Sequence, residues 1–200
     1  MKQESTTNNL NDITQLLSIV KTGDRIALDQ VFQLIYQELK VCARRQRFKW
    51  QGDATLNTTA LINEAYLKLV DQQNADYENR LHFLSTASKV MRHILIDYSR
   101  SKITNKRGGR EKHQSLLETE HYQLPSLEVD DKQAVELLSL DCALSRLAKT
   151  SERESKVVEC RFFGGMTINE TSELLGVSPG TVKRDWTLAQ SWLLNEMERT

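Results

Sequence analysis

Residues 166–194, MTINETSELLGVSPGTVKRDWTLAQSWLL, are the stretch whose boundaries decide the fold. Thr167 and Glu170 have the spacing of a capping box, so a helix is expected to start at Thr167. Gly176 follows Leu174 and Leu175 and suits the left-handed residue that ends a helix. Ser178 then caps a second helix, with Pro179 at its first position, where a missing N–H costs nothing. Val182, Trp186, Ala189 and Leu193 recur at helical spacing and predict one buried stripe. Lys183, Arg184, Thr187 and Gln190 fall on the other face. A short helix, a glycine turn and a capped helix with basic and polar first turns fit a helix-turn-helix, whose second helix enters the major groove by its N-terminal part. The same pattern also fits two ordinary bundle helices joined through a glycine. Asp185 cuts against DNA, because a carboxylate beside the reading face repels phosphate. It is expected to accept from a cytosine amino group or to hold Arg184 or Lys183 in place.

Outward from this stretch, the chain reads as helical. Only 2 of its 200 residues are Pro and 8 are Gly, which favours helices over strands and turns. An early helix is expected near 13–21. Leu28, Val31, Phe32, Ile35, Leu39 and Cys42 recur at three and four, predicting one long amphipathic helix from Asp24 to about Arg47. A second is expected from near Thr58 on Ala60, Leu61, Ala65, Leu67 and Leu69. A third runs from about Leu81 to Ser101 on Leu84, Ala87, Met91, Ile94 and Tyr98. Residues 105–131 lose all periodicity and read as a flexible linker. Ala134 to Leu147 form another helix. Ser151 and Glu154 suggest a second capping box, opening a helix through Val157, Val158 and Phe162 that Gly164 and Gly165 stop. The expected fold is all-α: two small helical domains, 12–106 and 132–198, with a linker at 107–131.

Composition excludes several function classes. No apolar run approaches the roughly 20 residues of a membrane span, so no membrane insertion is expected. The polar start, MKQESTTNNLND, has no apolar core for a signal peptide. Cys42, Cys142 and Cys160 are odd in number and far apart. They form neither a disulfide framework nor a zinc set, and each sits in an apolar helical context that predicts a buried free thiol. The cytoplasm is the default compartment. The four His and the scattered Asp show no metal-ligand or triad spacing, so no metal, cofactor, small-molecule substrate or enzymatic activity is expected.

Formal net charge is zero, but it is unevenly spread. Residues 1–107 hold 16 Lys/Arg against 11 Asp/Glu, 108–150 hold 5 against 8, and 151–200 hold 6 against 8. Such a chain binds duplex weakly alone, since its electrostatic attraction to phosphate is small. A partner must supply grip.

A second constellation is basic. From Lys89 to Lys112 there are 8 basic residues, among them Arg92 and Arg100, against Asp97 and Glu111. This run is either a solvated helix face or a surface that tracks phosphates. Nearby Tyr77, Asn79 and Phe83 could hold an unstacked base by stacking and hydrogen bonds. Arg44, Arg45, Arg47 and Lys49, with Phe48 and Trp50, read as a helix end favoured by the dipole. Glu64, in the apolar run Leu61 to Leu69, marks a partner-binding surface or pairs with Lys68 one turn on.

These segments together resemble the extracytoplasmic-function (ECF) sigma factors of bacterial RNA polymerase. The likeness covers roughly residues 12–106 and 132–197. It is carried by ALINEAYLKL (60–69), KVMRHILIDYSR (89–100), SERE (151–154), RFFGG (161–165) and GTVKRDW (180–186), in that order. The resemblance implies a non-enzymatic partner of core RNA polymerase and promoter DNA, and leaves room for an anti-sigma factor. It implies that Leu61, Glu64 and Leu67 bind the polymerase clamp helices. Tyr77, Asn79, Arg80, Lys89, Arg92 and Arg100 would melt and read the minus-ten element. Ser178, Thr181, Lys183, Arg184 and Thr187 would read the minus-thirty-five element, with Arg161 and Thr167 on backbone phosphates. The linker would thread near the active-site channel. Asn63, Thr171, Ser172 and Asp185 depart from the common pattern and leave the promoter sequence open. The rival reading is a free-standing helix-turn-helix regulator, although no dimerising heptad is visible.

Overall fold

The computed structural model describes residues 12–46, 54–71, 76–106 and 131–199. Those residues are all-α. Helix α1 covers 12–20. It is followed by α2 (Arg25–Leu34), α3 (Tyr36–Gln46), α4 (Ala54–Val70) and α5 (Arg80–Lys106). Then come α6 (Asp131–Thr150), α7 (Glu152–Val158), a π-helical turn (Glu159–Phe163), α8 (Ile168–Leu175) and α9 (Pro179–Glu198).

The single long helix expected from Asp24 is two. Asp24 caps α2 as a side-chain acceptor for the Ile26 and Ala27 amides. The helix then bends at Ile35, which leaves helical dihedrals at φ −104 and ψ 11. Ile35 is fully buried, so the bend turns the apolar faces of both α2 and α3 onto one core. Helix α4 starts four residues before Thr58, and α5 runs on past Ser101 to Lys106. Each added stretch carries a single large apolar residue, Leu56 or Ile103, too few to set a period, which is why periodicity missed them. Asn79 caps α5, its Oδ1 accepting from the His82 amide at 2.9 Å.

Two apolar clusters organise the packing. The first joins α1 to α5 around Leu17, Leu39, Leu61, Phe83, Met91 and Leu95. Phe32 meets Tyr66 and Phe83 edge to face, at 5.0 and 5.6 Å between ring centres. That geometry suits the ring quadrupoles. The second cluster gathers Leu144 and Leu147 of α6, Val158, Phe163, and Ala189 and Leu193 of α9. The clusters meet, because Leu137, Cys160 and Met166 pack into the first. Except for Asp131, which opens α6, the linker expected at 107–131 lies outside the described residues.

The segment before the helix-turn-helix differs most from expectation. Ser151 stands at the N-cap of α7 but makes no side-chain capping bond, so the second capping box is absent. The helix then widens: the Gly164 amide bonds back to the Glu159 carbonyl, five residues earlier, at 2.9 Å. The inserted residue rotates the face, so Phe163 is buried and Phe162, read only as part of the helix, is exposed. Gly164 is needed here, since a Cβ would lie 2.7 Å from the Cys160 carbonyl oxygen. All three cysteines are free, but Cys142 is exposed rather than buried. No helix among the described residues is long and apolar enough to cross a membrane.

Candidate nucleic-acid interface

The helix-turn-helix forms as its sequence predicts. Thr167 and Glu170 bond reciprocally in a capping box, and Gly176 ends α8 in the left-handed region at φ 63. Ser178 caps α9 by accepting from the Thr181 amide at 3.1 Å. Val182, Ala189 and Leu193 are buried and Trp186 is half-buried. Ser178, Lys183, Arg184, Thr187 and Gln190 are exposed, and Thr181 is half-buried. One face of the first turns of α9 therefore presents two cations and hydroxyls to solvent. The helix N-terminus adds its own positive end of the dipole. Phosphate and base edges are what such a surface suits.

Asp185 lies on the inner face of the same helix. It is 1% exposed, and its Oδ2 accepts from Nε of Arg153 on α7 at 2.6 Å. Arg184 Nε stands 3.6 Å from its other oxygen. Asp185 is thus directed at α7 rather than at a base, and Arg153 was missed. The signal was present: 185 lies three residues after Val182 and four before Ala189, on the buried stripe. Thr171, also unusual, is buried with its hydroxyl donated to the Thr167 carbonyl at 2.8 Å.

Arg161 and Thr167, expected on phosphates, differ in availability. Thr167 is exposed, with its hydroxyl engaged by Glu170. Arg161 is half-buried, its guanidinium 5.2 Å from the centre of the Trp186 ring. Burial, helped by nearby Arg45, pulls its pKa down. Desolvation of a cation works in that direction.

The basic helix α5 is largely engaged by the C-terminal half. Arg92, 9% exposed, donates to Asp141 of α6 at 2.5 Å and to Glu159 at 2.7 Å. It is therefore neither a solvated residue nor an open phosphate contact in this form. Arg100 reaches Asp141 at 3.4 Å. Arg80 is shared between Glu38 and Glu170, the latter at 3.0 Å. Lys89 is exposed. Tyr77 is 3% exposed and packs edge to face on buried Phe83, so neither ring offers a face to a base. The Asn79 side chain is spent on its cap. These two were expected in a polar loop, but Tyr77 is buried in the first core.

On α4 the three candidate partner-binding residues separate. Leu61 is fully buried in the first core and presents nothing outward. Helical rotation explains this, since 61, 65 and 69 share the inner face. Glu64 is half-buried, and Leu67 is exposed at 50%. Among the described residues no group of His, Cys, Asp or Glu is arranged to hold a metal ion.

No curated protein and no solved structure matches the chain. A family model does: that of the ECF sigma factor matches residues 10–199. A match over nearly the whole chain, on an all-α fold that carries a formed helix-turn-helix, shows that this protein belongs to the ECF sigma factor family, a DNA-binding class acting in transcription initiation.

Proposed function

We propose that the chain binds core RNA polymerase and directs it to specific promoters, with residues 12–106 and 132–198 as its working units and 107–131 as their tether. The observation that carries this reading is the first part of α9. Its N-cap is satisfied locally, and Lys183, Arg184 and Thr187 stand exposed on one side. That surface suits the minus-thirty-five element as duplex. Thr181 and Ser178 adjoin it, and Thr167 and Arg161 flank it for backbone phosphates. On α5, Lys89, Arg92 and Arg100, with Arg80 at its start, are the cations for the minus-ten strand. Glu64 and exposed Leu67 are the polymerase contacts on α4, and buried Leu61 supports them from within. Anti-sigma factors are typical partners of the family and one would compete for these surfaces.

Zero net charge fits such a division of labour. A near-neutral chain gains little from phosphate attraction alone. Two modest DNA contacts held on one polymerase gain from effective concentration. The test is gel filtration with core polymerase. The wild type should co-elute, and Leu67→Asp, a change at an exposed site, should not. A wild type that elutes alone would contradict the reading.

A further inference from the structure

The charge asymmetry of the chain has a structural counterpart. The cations along α5 meet carboxylates from the C-terminal half: Arg92 with Asp141 and Glu159, Arg100 with Asp141, Lys102 with Asp131 at 3.8 Å, and Arg80 with Glu170. Alongside them, Arg45 donates to the Arg161 carbonyl at 3.2 Å and the Cys42 thiol to the Gly164 carbonyl at 3.0 Å. Carboxylates of the C-terminal half thus pair with the α5 cations Arg80, Arg92, Arg100 and Lys102. The pairing is incomplete, since Arg92 Nε and Glu159 Oε2 are buried without partners. Buried ion pairs of this kind add little net stability, because desolvation offsets attraction. Apolar contacts of Leu137, Cys160 and Met166 accompany these ion pairs, so release of the C-terminal half also uncovers those side chains.

From this we infer that the acidic C-terminal half covers the cationic face of α5 in the free protein and that single-stranded nucleic acid competes with it for the same guanidinium groups. This rests on α5 being the strand-binding helix of the proposed function. The free chain is then closed, and strand binding requires release of Asp141 and Glu159 from Arg92. An anionic strand gains access by supplying phosphates where the carboxylates leave, so the exchange conserves charge pairing. Closure also weakens binding of DNA away from polymerase, because the apparent affinity scales with the fraction of time the chain is open.

Two buried thiols report on the contact. Cys42 lies against Gly164, and Cys160 lies in the π-helical turn beside α5, while exposed Cys142 serves as an internal reference. The experiment is maleimide labelling of the full-length protein, read site by site by peptide mass spectrometry. A saturating single-stranded oligonucleotide should raise the Cys42 and Cys160 rates by about tenfold and leave Cys142 unchanged. Unchanged Cys42 and Cys160 rates with oligonucleotide bound would overturn the inference. In a second arm, the Asp141→Asn, Glu159→Gln double variant should label fast without oligonucleotide and bind it about tenfold more tightly. The control is Glu173→Gln with Glu198→Gln, which removes the same charge from exposed sites. Equal behaviour of the two double variants would count against a cover and for a general charge effect. Labelling does not involve polymerase, so failure here is separable from failure to co-elute with core enzyme.

Discussion

Asp185 of α9 and Arg153 of α7 form an ion pair in which only the acid is buried, at 2.6 Å between Oδ2 and Nε. The pair ties α9 to α7 beneath it and raises the pKa of Arg153, chiefly through the hydrogen bond. The two partners are therefore unequal. Removing Arg153 leaves a carboxylate in the interior with only the 3.6 Å approach of Arg184. Removing Asp185 leaves a cation that water can solvate. Leaving a buried charge unpaired is the costlier change. Arg153→Ala should lower the urea midpoint more than Asp185→Ala, and Asp185→Ala should change promoter choice little. The reverse order would mean that Asp185 is not held as described.

Lys183 and Arg184 are adjacent and exposed but should act differently. A lysine on phosphate weakens binding to all sequences alike, whereas an arginine on a base edge discriminates by roughly 1–3 kcal/mol. Transcription from a panel of minus-thirty-five variants should fall uniformly with Lys183→Ala. With Arg184→Ala the preference among variants should flatten. Co-elution with polymerase should be unaffected by either change.

Two glycines are needed for separate reasons. Gly176 has a left-handed φ of 63 and open space around it, so Gly176→Ala should cost about 1 kcal/mol from backbone conformation alone. Gly164 has an ordinary φ of −76, yet a Cβ would sit 2.7 Å from a backbone oxygen. Gly164→Ala should therefore cost more, in the upper part of the roughly 1–3 kcal/mol range of overpacked sites. Urea unfolding of both variants checks the order.

Glu38 and Glu170 hold the same Arg80 with opposite pH consequences. Burial is the largest influence on Glu38 and lifts its carboxyl above the ordinary 4.5, although Arg80 pulls it back. Burial pushes Glu170 up as well, but bonds from Thr167 and Arg80 outweigh it and leave it below 4.5. A depressed carboxylate contributes stability that is present above its unfolded pKa and lost as pH falls through the folded one. A raised carboxylate binds its proton more readily when folded and has the reverse sign. Urea midpoints from about pH 6 to pH 3 should therefore fall less steeply in Glu170→Gln than in the wild type, below pH 4.5. Those of Glu38→Gln should fall more steeply, at and just above pH 4.5. Parallel curves would contradict the opposed shifts.

What was legible in the sequence was local. The caps at Thr167 and Ser178, the turn at Gly176 and the stripe from Val182 to Leu193 depend on residues within one or two turns, and all form. What escaped depends on contacts distant in sequence. Nothing near Arg92 announces Asp141 or Glu159, 49 and 67 residues away. The bend at Ile35 preserves the three-and-four spacing, so periodicity alone reads through it. Tyr77 looked like a stacking platform because aromatic residues in polar loops resemble one until the core claims them. Leu61 and Leu67 looked equivalent as apolar residues, yet Leu61 faces the core and Leu67 faces solvent.

The proposed role of this chain is to give core polymerase its promoter choice. Transcription by core enzyme on a library of genomic fragments, with and without the full-length protein, tests it most directly. Discrete new start sites are expected that share an upstream pair of elements and that Arg184→Ala redistributes. Start sites unchanged by the protein would contradict it.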